Sequence, residues 1–310
     1  MKFHPINKPS NQYMLKVSDS HEINVEEYGN KNGIPMLFLH GGPGAGTSPI
    51  FQKYFNPNKY RLIMFDQRGC GKSNPYGEVT ENTTQDLIRD INLILGHFNI
   101  DKTHIYGGSW GSTLALLYAE AHPEKVVSLT LRGIFLCRKD DINWFYQNGA
   151  SEIYPQYWEN YISIVDQSKR ENILSAYHKM IFSSDETISN RACKEWSLWE
   201  GKSSCLIPSN NVINSFDECA VSLARIESHF FMNNCFIREN QILEDINKIK
   251  DIPCIIVHGQ YDIVCPIRQA HDLHKVYDNA ELIIAKDAGH SLLEPSISKE
   301  ILNIFDNVIE

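Results

Sequence analysis

The chain has no Cys-x-x-Cys pair, no apolar run of 18 residues and no excess of positive charge. Each absence removes a class of function. Its eight cysteines stand at 70, 137, 193, 205, 219, 235, 254 and 265, never closer than eleven residues, so zinc-site and dithiol redox spacings are missing. Thiols scattered this widely are expected to be reduced, in a cytoplasmic and metal-free protein. Without a run of membrane length no transmembrane helix is expected, and the start, Met1-Lys2-Phe3-His4-Pro5, lacks the apolar segment of a secretory leader. A net charge of −9 argues against nucleic-acid or anionic-membrane partners.

Two phosphate-binding signatures are also missing. The Gly-rich segment His40-Gly41-Gly42-Pro43-Gly44 follows a strand-like run, but Pro43 removes a backbone donor and no Gly-x-Gly-x-x-Gly is present. Gly71-Lys72-Ser73 ends like a Walker motif, but position 66, which would need glycine, is Asp66.

What is present is Tyr106-Gly107-Gly108-Ser109-Trp110-Gly111-Ser112, between the β-like run Thr103–Tyr106 and the helix-like run Thr113–Ala119. Gly-x-Ser-x-Gly between strand and helix reads as a nucleophile elbow. Ser109 would sit in a strained backbone with its Oγ above the sheet, and the Trp110 N–H would face a developing oxyanion. The Gly42 N–H, from the loop after the earlier strand, is the expected second donor. His40 is expected to brace that loop rather than to catalyse.

At 310 residues, with 42% hydrophobic and 22% charged, the chain can bury the core of a large α/β unit. Alternation over Tyr13–Val17 and Ile23–Tyr28 predicts an antiparallel pair at one sheet edge. Apolar runs at Ile34–Leu39, Arg61–Phe65, Lys125–Leu131, Ile252–Val257 and Glu281–Ala285 predict buried strands. Asp66 and Arg68 are expected to be partners pinning a turn. A helix capped by Thr83 or Thr84 should turn Leu87, Ile91, Leu93, Ile94 and Leu95 inward. The fold class is therefore α/β with a mostly parallel sheet. Residues 137–246 hold four of the five tryptophans and helical periodicity, which predicts a helical cap inserted into a core made of 1–136 and 247–310.

A serine hydroxyl needs a base, and the base, histidine, needs a carboxylate. Asp262 and His290 each follow a core strand, in the order Ser, acid, His. His271 and His274 fall on an apparent helix, and His40 and His258 precede the expected position. Arg132, at the end of its strand, should sit near Ser109. In the cap, Glu227 shares a helix face with Ala220, Leu223, Ala224, Phe230 and Phe231, and Glu200 adjoins Trp199. An acid in an apolar stripe needs a cation. That cation is either a substrate ammonium or a cap arginine such as Arg191 or Arg225.

His40-Gly41-Gly42-Pro43-Gly44, Asp66–Ser73, Gly107–Ser112, Trp196-Ser197-Leu198-Trp199-Glu200-Gly201, Ala224-Arg225-Ile226-Glu227, His258–Asp262 and Asp287-Ala288-Gly289-His290 together resemble the proline iminopeptidases, α/β-hydrolase-fold serine peptidases. The likeness spans core and cap. It implies a cytosolic aminopeptidase that releases N-terminal proline from small peptides without a cofactor, through a prolyl-enzyme. It implies Ser109, Asp262 and His290 as the triad and Gly42 and Trp110 as oxyanion donors. Glu200 and Glu227 would bind the proline ammonium, Arg132 would lie near them, and Phe135 would wall the pyrrolidine pocket. Cys265 resembles a family cysteine near the site, which implies that thiol reagents inhibit by crowding. Gln260 stands where the family commonly has arginine. A carboxylesterase of the same fold, or a ligand-sensing hydrolase, is the alternative that the core motifs alone allow.

Overall fold

The computed structural model describes residues 2–309. Eight strands, β1 (Asn11–Lys16), β2 (Glu22–Gly29), β3 (Ile34–Leu39), β4 (Tyr60–Phe65), β5 (Thr103–Gly108), β6 (Val126–Arg132), β7 (Cys254–Gly259) and β8 (Ala280–Ala285), form one sheet in the order β1-β2-β4-β3-β5-β6-β7-β8. The first two are antiparallel to each other, and β2 is antiparallel to β4. All other pairings are parallel. Only β1 at the edge alternates in burial as its sequence does; β2, lying between β1 and β4, is buried from Ile23 to Tyr28 despite its alternating sequence, and β5 is buried along its whole length, as a strand covered on both faces must be.

Helices α1 (Thr84–His97) and α2 (Trp110–Ala121) follow β4 and β5. Thr83 caps α1 in a reciprocal capping box with Asp86. Leu87, Ile91, Ile94 and Leu95 of α1 are buried, but Leu93 is half exposed and points away from the core, because it lies off the i, i+3, i+4 stripe set by Leu87, Ile91, Ile94 and Leu95. Between β6 and β7 there is no strand among the described residues. The chain there forms α3 (Lys139–Tyr146), α4 (Ala150–Ile153), α5 (Pro155–Ile162), α6 (Ile173–Ile181), α7 (Glu186–Ser203), α8 (Asn210–Glu218), α9 (Ala220–Met232) and α10 (Gln241–Glu244). Its centre is an aromatic stack: Tyr161 lies flat on Tyr177, with Trp196 and Trp199 beside them. Helices α11 (Arg268–Val276) and α12 (Pro295–Asn307) complete the chain. Phe305 of α12 packs on Phe55, Tyr60 and Tyr106 under one face of the sheet, while α1, α2 and α11 cover the other.

The turn after β4 corrects one expectation. Arg68 does not pair with Asp66; it makes a two-pronged bond to the buried Asp90 of α1, at 2.7 Å on each prong. Asp66 instead accepts from the Thr47 and Lys72 N–H groups, at 2.7 and 2.9 Å. Two buried side chains of opposite charge thus each anchor the turn, to different neighbours, because the planar guanidinium finds its matching carboxylate on α1.

Candidate active site

Five chain segments reach one region at the carboxyl ends of parallel strands, where open α/β sheets present ligands. Ser109 follows β5 directly, with φ 57° and ψ −127°, a conformation that a non-glycine residue holds only when its surroundings enforce it. The enforcement is close packing. A Cβ at Gly107 would lie 2.1 Å from the Gly111 carbonyl oxygen, and one at Gly111 would lie 2.1 Å from that of Leu39. Only glycine lets β5, α2 and the β3 loop cross at this distance. The Ser109 N–H is anchored on the Arg132 carbonyl at 2.8 Å.

Trp110 is the first residue of α2, so its backbone N–H has no partner within the helix and sits at the positive end of the helix dipole. Its indole donates to Gln67 at 2.9 Å and is fully buried, which fixes the residue. The Gly41–Gly42 loop arches over Ser109: a Cβ at Gly41 would be 3.9 Å from the Ser109 hydroxyl. His40 braces that loop. It accepts from the Gln67 N–H through Nε2 and so must carry its proton on Nδ1, which donates to the Gly41 carbonyl at 2.8 Å.

Asp262 and His290, in the loops after β7 and β8, meet at 2.7 Å from Oδ2 to Nδ1. With Nδ1 donating to the carboxylate, Nε2 is free to take a proton. Asp262 also accepts from the Cys265 N–H at 2.8 Å and lies 3.4 Å from His258 Nε2. Burial pushes its carboxyl up, but the His290 and His258 rings more than reverse this and hold it below the usual range. His258 accepts from the Ile134 N–H at Nδ1 and donates from Nε2 to the Cys265 carbonyl, so it is a neutral ring; burial lowers its pKa accordingly. It is a second imidazole on the triad acid that sequence order alone sets aside; the signal was its place four residues before Asp262 at a strand end. His271 and His274 lie on α11, as expected.

Arg132 is brought next to Ser109 through its backbone, but its side chain turns to the histidine loop. It donates to the His290 carbonyl at 2.6 Å and lies against Gly108. No ion pair joins it to Glu200 or Glu227 among the described residues. It lines the same cavity as Glu200, and while one Nη donates to the histidine loop, its Nε is buried without a partner. Phe135, after β6, is buried edge-to-face against Phe231 of α9. Cys265 is buried, with its thiol pushed well up by burial and then by Asp262.

Neither cap arginine named above pairs with the cap acids among the described residues. Arg225 donates to the Gly77 carbonyl and its guanidinium lies 4.4 Å over the Phe182 ring; Arg191 is exposed and makes no ion pair among the described residues. Glu200 and Glu227 have each other instead. Glu227, 1% exposed, accepts from the Trp196 indole at 2.6 Å, and Glu200, 7% exposed, accepts from the Tyr146 hydroxyl at 2.5 Å. Burial and then the adjacent Glu200 hold the Glu227 carboxyl well above the usual range. Two carboxylates in contact and out of water repel each other, so the fully ionised pair calls for a cation. Tyr146, an unremarked residue in the sequence, stacks on Trp196 at 4.3 Å and completes this pair's surroundings.

A cavity of about 510 Å³ connects these parts. Ser109, His290, Gly42 and Glu200 line it, and its outer wall is apolar, with Phe51, Phe216 and Leu293. A nucleophile, a base with its acid, free backbone donors and an acidic recess therefore open on one space, a set able to carry out acyl transfer on a cationic substrate.

Residues 34–296 match the family model of the alpha/beta hydrolase fold. Over 290 residues the chain is 45% identical to a proline iminopeptidase of Xylella fastidiosa, covering 93% of each chain. It is 45% identical to one of Arabidopsis thaliana over 95% of this chain and 79% of that one. Among solved structures it is similar to the esterase RhEst1 of Rhodococcus sp. ECU1013, with a TM-score of 0.67 at 16% identity, covering 98% of this chain and all of that one. That last likeness concerns the fold.

Proposed function

The chain belongs to the proline iminopeptidases of the α/β-hydrolase fold, and we propose that it releases N-terminal proline from peptides with Ser109 as nucleophile, His290 as base, Asp262 as the acid orienting it, and Glu200 with Glu227 as the reader of the free proline amine. The observation that carries this assignment is the pair of buried cap carboxyls, without a protein cation among the described residues, beside the Ser109 cavity. We further assign residues 137–246 as the cap and 1–136 with 247–310 as the core, and the cytoplasm as the place of action.

The proposed reaction runs in two acyl-transfer steps. The prolyl ammonium enters between Glu200 and Glu227, and any proton on the pair is expelled. The pyrrolidine ring packs towards Phe135 and Phe231, which puts the carbonyl carbon over Ser109. His290 Nε2 takes the hydroxyl proton as Oγ attacks, and Asp262 stabilises the imidazolium. The oxyanion is met by the Gly42 and Trp110 N–H groups. His290 then passes the proton to the leaving amine, and the shortened peptide departs. A water, deprotonated by His290, hydrolyses the prolyl ester, and proline leaves. Arg132 acts at a distance, holding the histidine loop. The residues of this chain supply every proton transfer in the scheme.

The test is hydrolysis of Pro-, Ala- and N-acetyl-Pro-naphthylamide and p-nitrophenyl acetate by wild type and Ser109→Ala. Fast, serine-dependent cleavage of the Pro compound with refusal of the acetylated one is expected. Ester cleavage with no preference for a free amine would make the protein an esterase and Glu200 and Glu227 ordinary cap acids.

A further inference from the structure

The helix that carries Glu200 also holds the histidine loop. Helix α7 ends at Ser203, and its orphaned terminal carbonyls need partners. The Ser204 carbonyl accepts from the N–H groups of both His290 and Ser291, at 2.9 and 2.8 Å. The Ser204 hydroxyl turns back to the Glu200 carbonyl at 2.8 Å. Two residues on, the Leu206 N–H donates to Glu294 at 2.6 Å, on the far side of the same loop. Ser204 is itself buried. The peptide of His290 is thus gripped from two directions, at its N–H by α7 and at its carbonyl by Arg132 of the core.

We propose that Ser204 is a positioning residue for His290: its carbonyl, at the C-terminal end of the helix that presents Glu200, sets the placement of the catalytic imidazole. This rests on the reading of Ser109, His290 and Glu200 given above. Asp262 fixes the tilt of the ring but not the height of the backbone that carries it. The Ser204 carbonyl and the Arg132 guanidinium fix the backbone, and the negative end of α7 lies against the backbone of the residue whose ring becomes a cation during attack. The amine reader Glu200 and the Ser204 carbonyl that anchors the base stand one helical turn apart, so a cap that shifts moves both.

Gly289→Ala tests this. A Cβ at position 289 would lie 2.9 Å from the Leu206 nitrogen, 3.2 Å from the Cys205 carbonyl carbon and 3.4 Å from the Ser204 oxygen. These are backbone atoms that cannot rotate aside, so their segment must move off the loop. The expected result is a loss of about 10- to 100-fold in kcat, with KM within about twofold, on Pro-naphthylamide and on p-nitrophenyl acetate alike. The low-field proton resonance of the Asp262–His290 bond should shift or broaden. Glu294→Gln, which weakens the Leu206 anchor without adding bulk, should show the same split at about two- to fivefold, and decides the matter if the alanine variant does not fold. Unchanged kcat on both substrates in either folded variant, or a loss confined to KM for the proline substrate, would overturn the proposal. A wild type indifferent to the free amine would remove the role of Glu200 alone, because the ester reads His290 placement independently.

Discussion

Asp262 and Glu227 are both buried carboxyls, each touching a residue that lines the Ser109 cavity, and their pKa values are moved in opposite directions. Burial raises each of them. Asp262 then meets two imidazoles and is held below its usual range; Glu227 meets a second carboxyl and is held well above it. The difference teaches that burial alone assigns no role. Asp262 has its positive partners within the protein, whereas the Glu200–Glu227 pair has none among the described residues and adjoins a cavity that could admit one. In the core the charge is completed within the protein; in the cap, on the function proposed above, the substrate amine would complete it.

The sharpest way to break the comparison is to neutralise each acid in turn. Asp262→Asn leaves the shape but offers His290 an amide, so the ring is free to adopt the wrong tautomer. A loss of about 10⁴-fold in kcat is expected, equally on Pro-naphthylamide and on p-nitrophenyl acetate. A loss on only one substrate would show that Asp262 does not serve the common step. Glu227→Gln should be milder and selective. Losing one charge-assisted contact, about 1.5–3 kcal/mol, predicts a fall of about 10- to 100-fold in kcat/KM on Pro-naphthylamide, with ester turnover within about twofold. The sign of the pH effect follows from the raised pKa of Glu227. The ammonium binds the ionised pair, so as pH falls a proton competes and wild-type KM for the proline substrate should rise. In Glu227→Gln that rise should flatten, and an unchanged pH dependence of KM would separate the cap pair from amine binding.

The parts legible in the sequence are those that the chain writes locally. The elbow declares itself because only glycine allows the crossing at 107 and 111, and the strands because burial on both faces demands continuous apolar runs. Asp262 and His290 were legible through their order after Ser109. What was illegible depends on where side chains turn. Arg132 stands at the expected strand end, yet a two-residue motif cannot say that its guanidinium reaches back to the His290 carbonyl. Arg68 sits two residues from Asp66 and finds Asp90 instead, because α1 returns alongside the turn. The cap acids were recognisable as costly, but the choice between an arginine and a substrate needed the positions of Arg191 and Arg225. His258 and Tyr146 carry no motif of their own. Their importance comes from the neighbour each touches.

A third buried acid supplies the control that the comparison needs. Glu120, near the end of α2, is 7% exposed and has no hydrogen-bond partner on either oxygen. Burial pushes its carboxyl up to about 8; the Gln241 amide offsets part of the rise without reaching hydrogen-bond geometry, and Asp245 adds to it. It has neither the imidazoles of Asp262 nor the adjoining Glu200 carboxyl of Glu227, so burial is the largest cause of its shift. Because its folded pKa lies above its ordinary value of 4.5, the folded protein binds more protons than the unfolded chain between those two values. Stability must then fall as pH rises from about 4.5 to about 8, by at most about 5 kcal/mol at 1.36 kcal/mol per pH unit. Glu120→Gln cannot ionise and should remove this slope. Thermal unfolding at pH 5.5 and pH 8 checks it: the wild-type Tm should drop between the two by several degrees more than that of the variant. Parallel changes in both proteins would mean that Glu120 is ionised and solvated in the folded state, and burial would then be too weak a force to explain the raised pKa of Glu227.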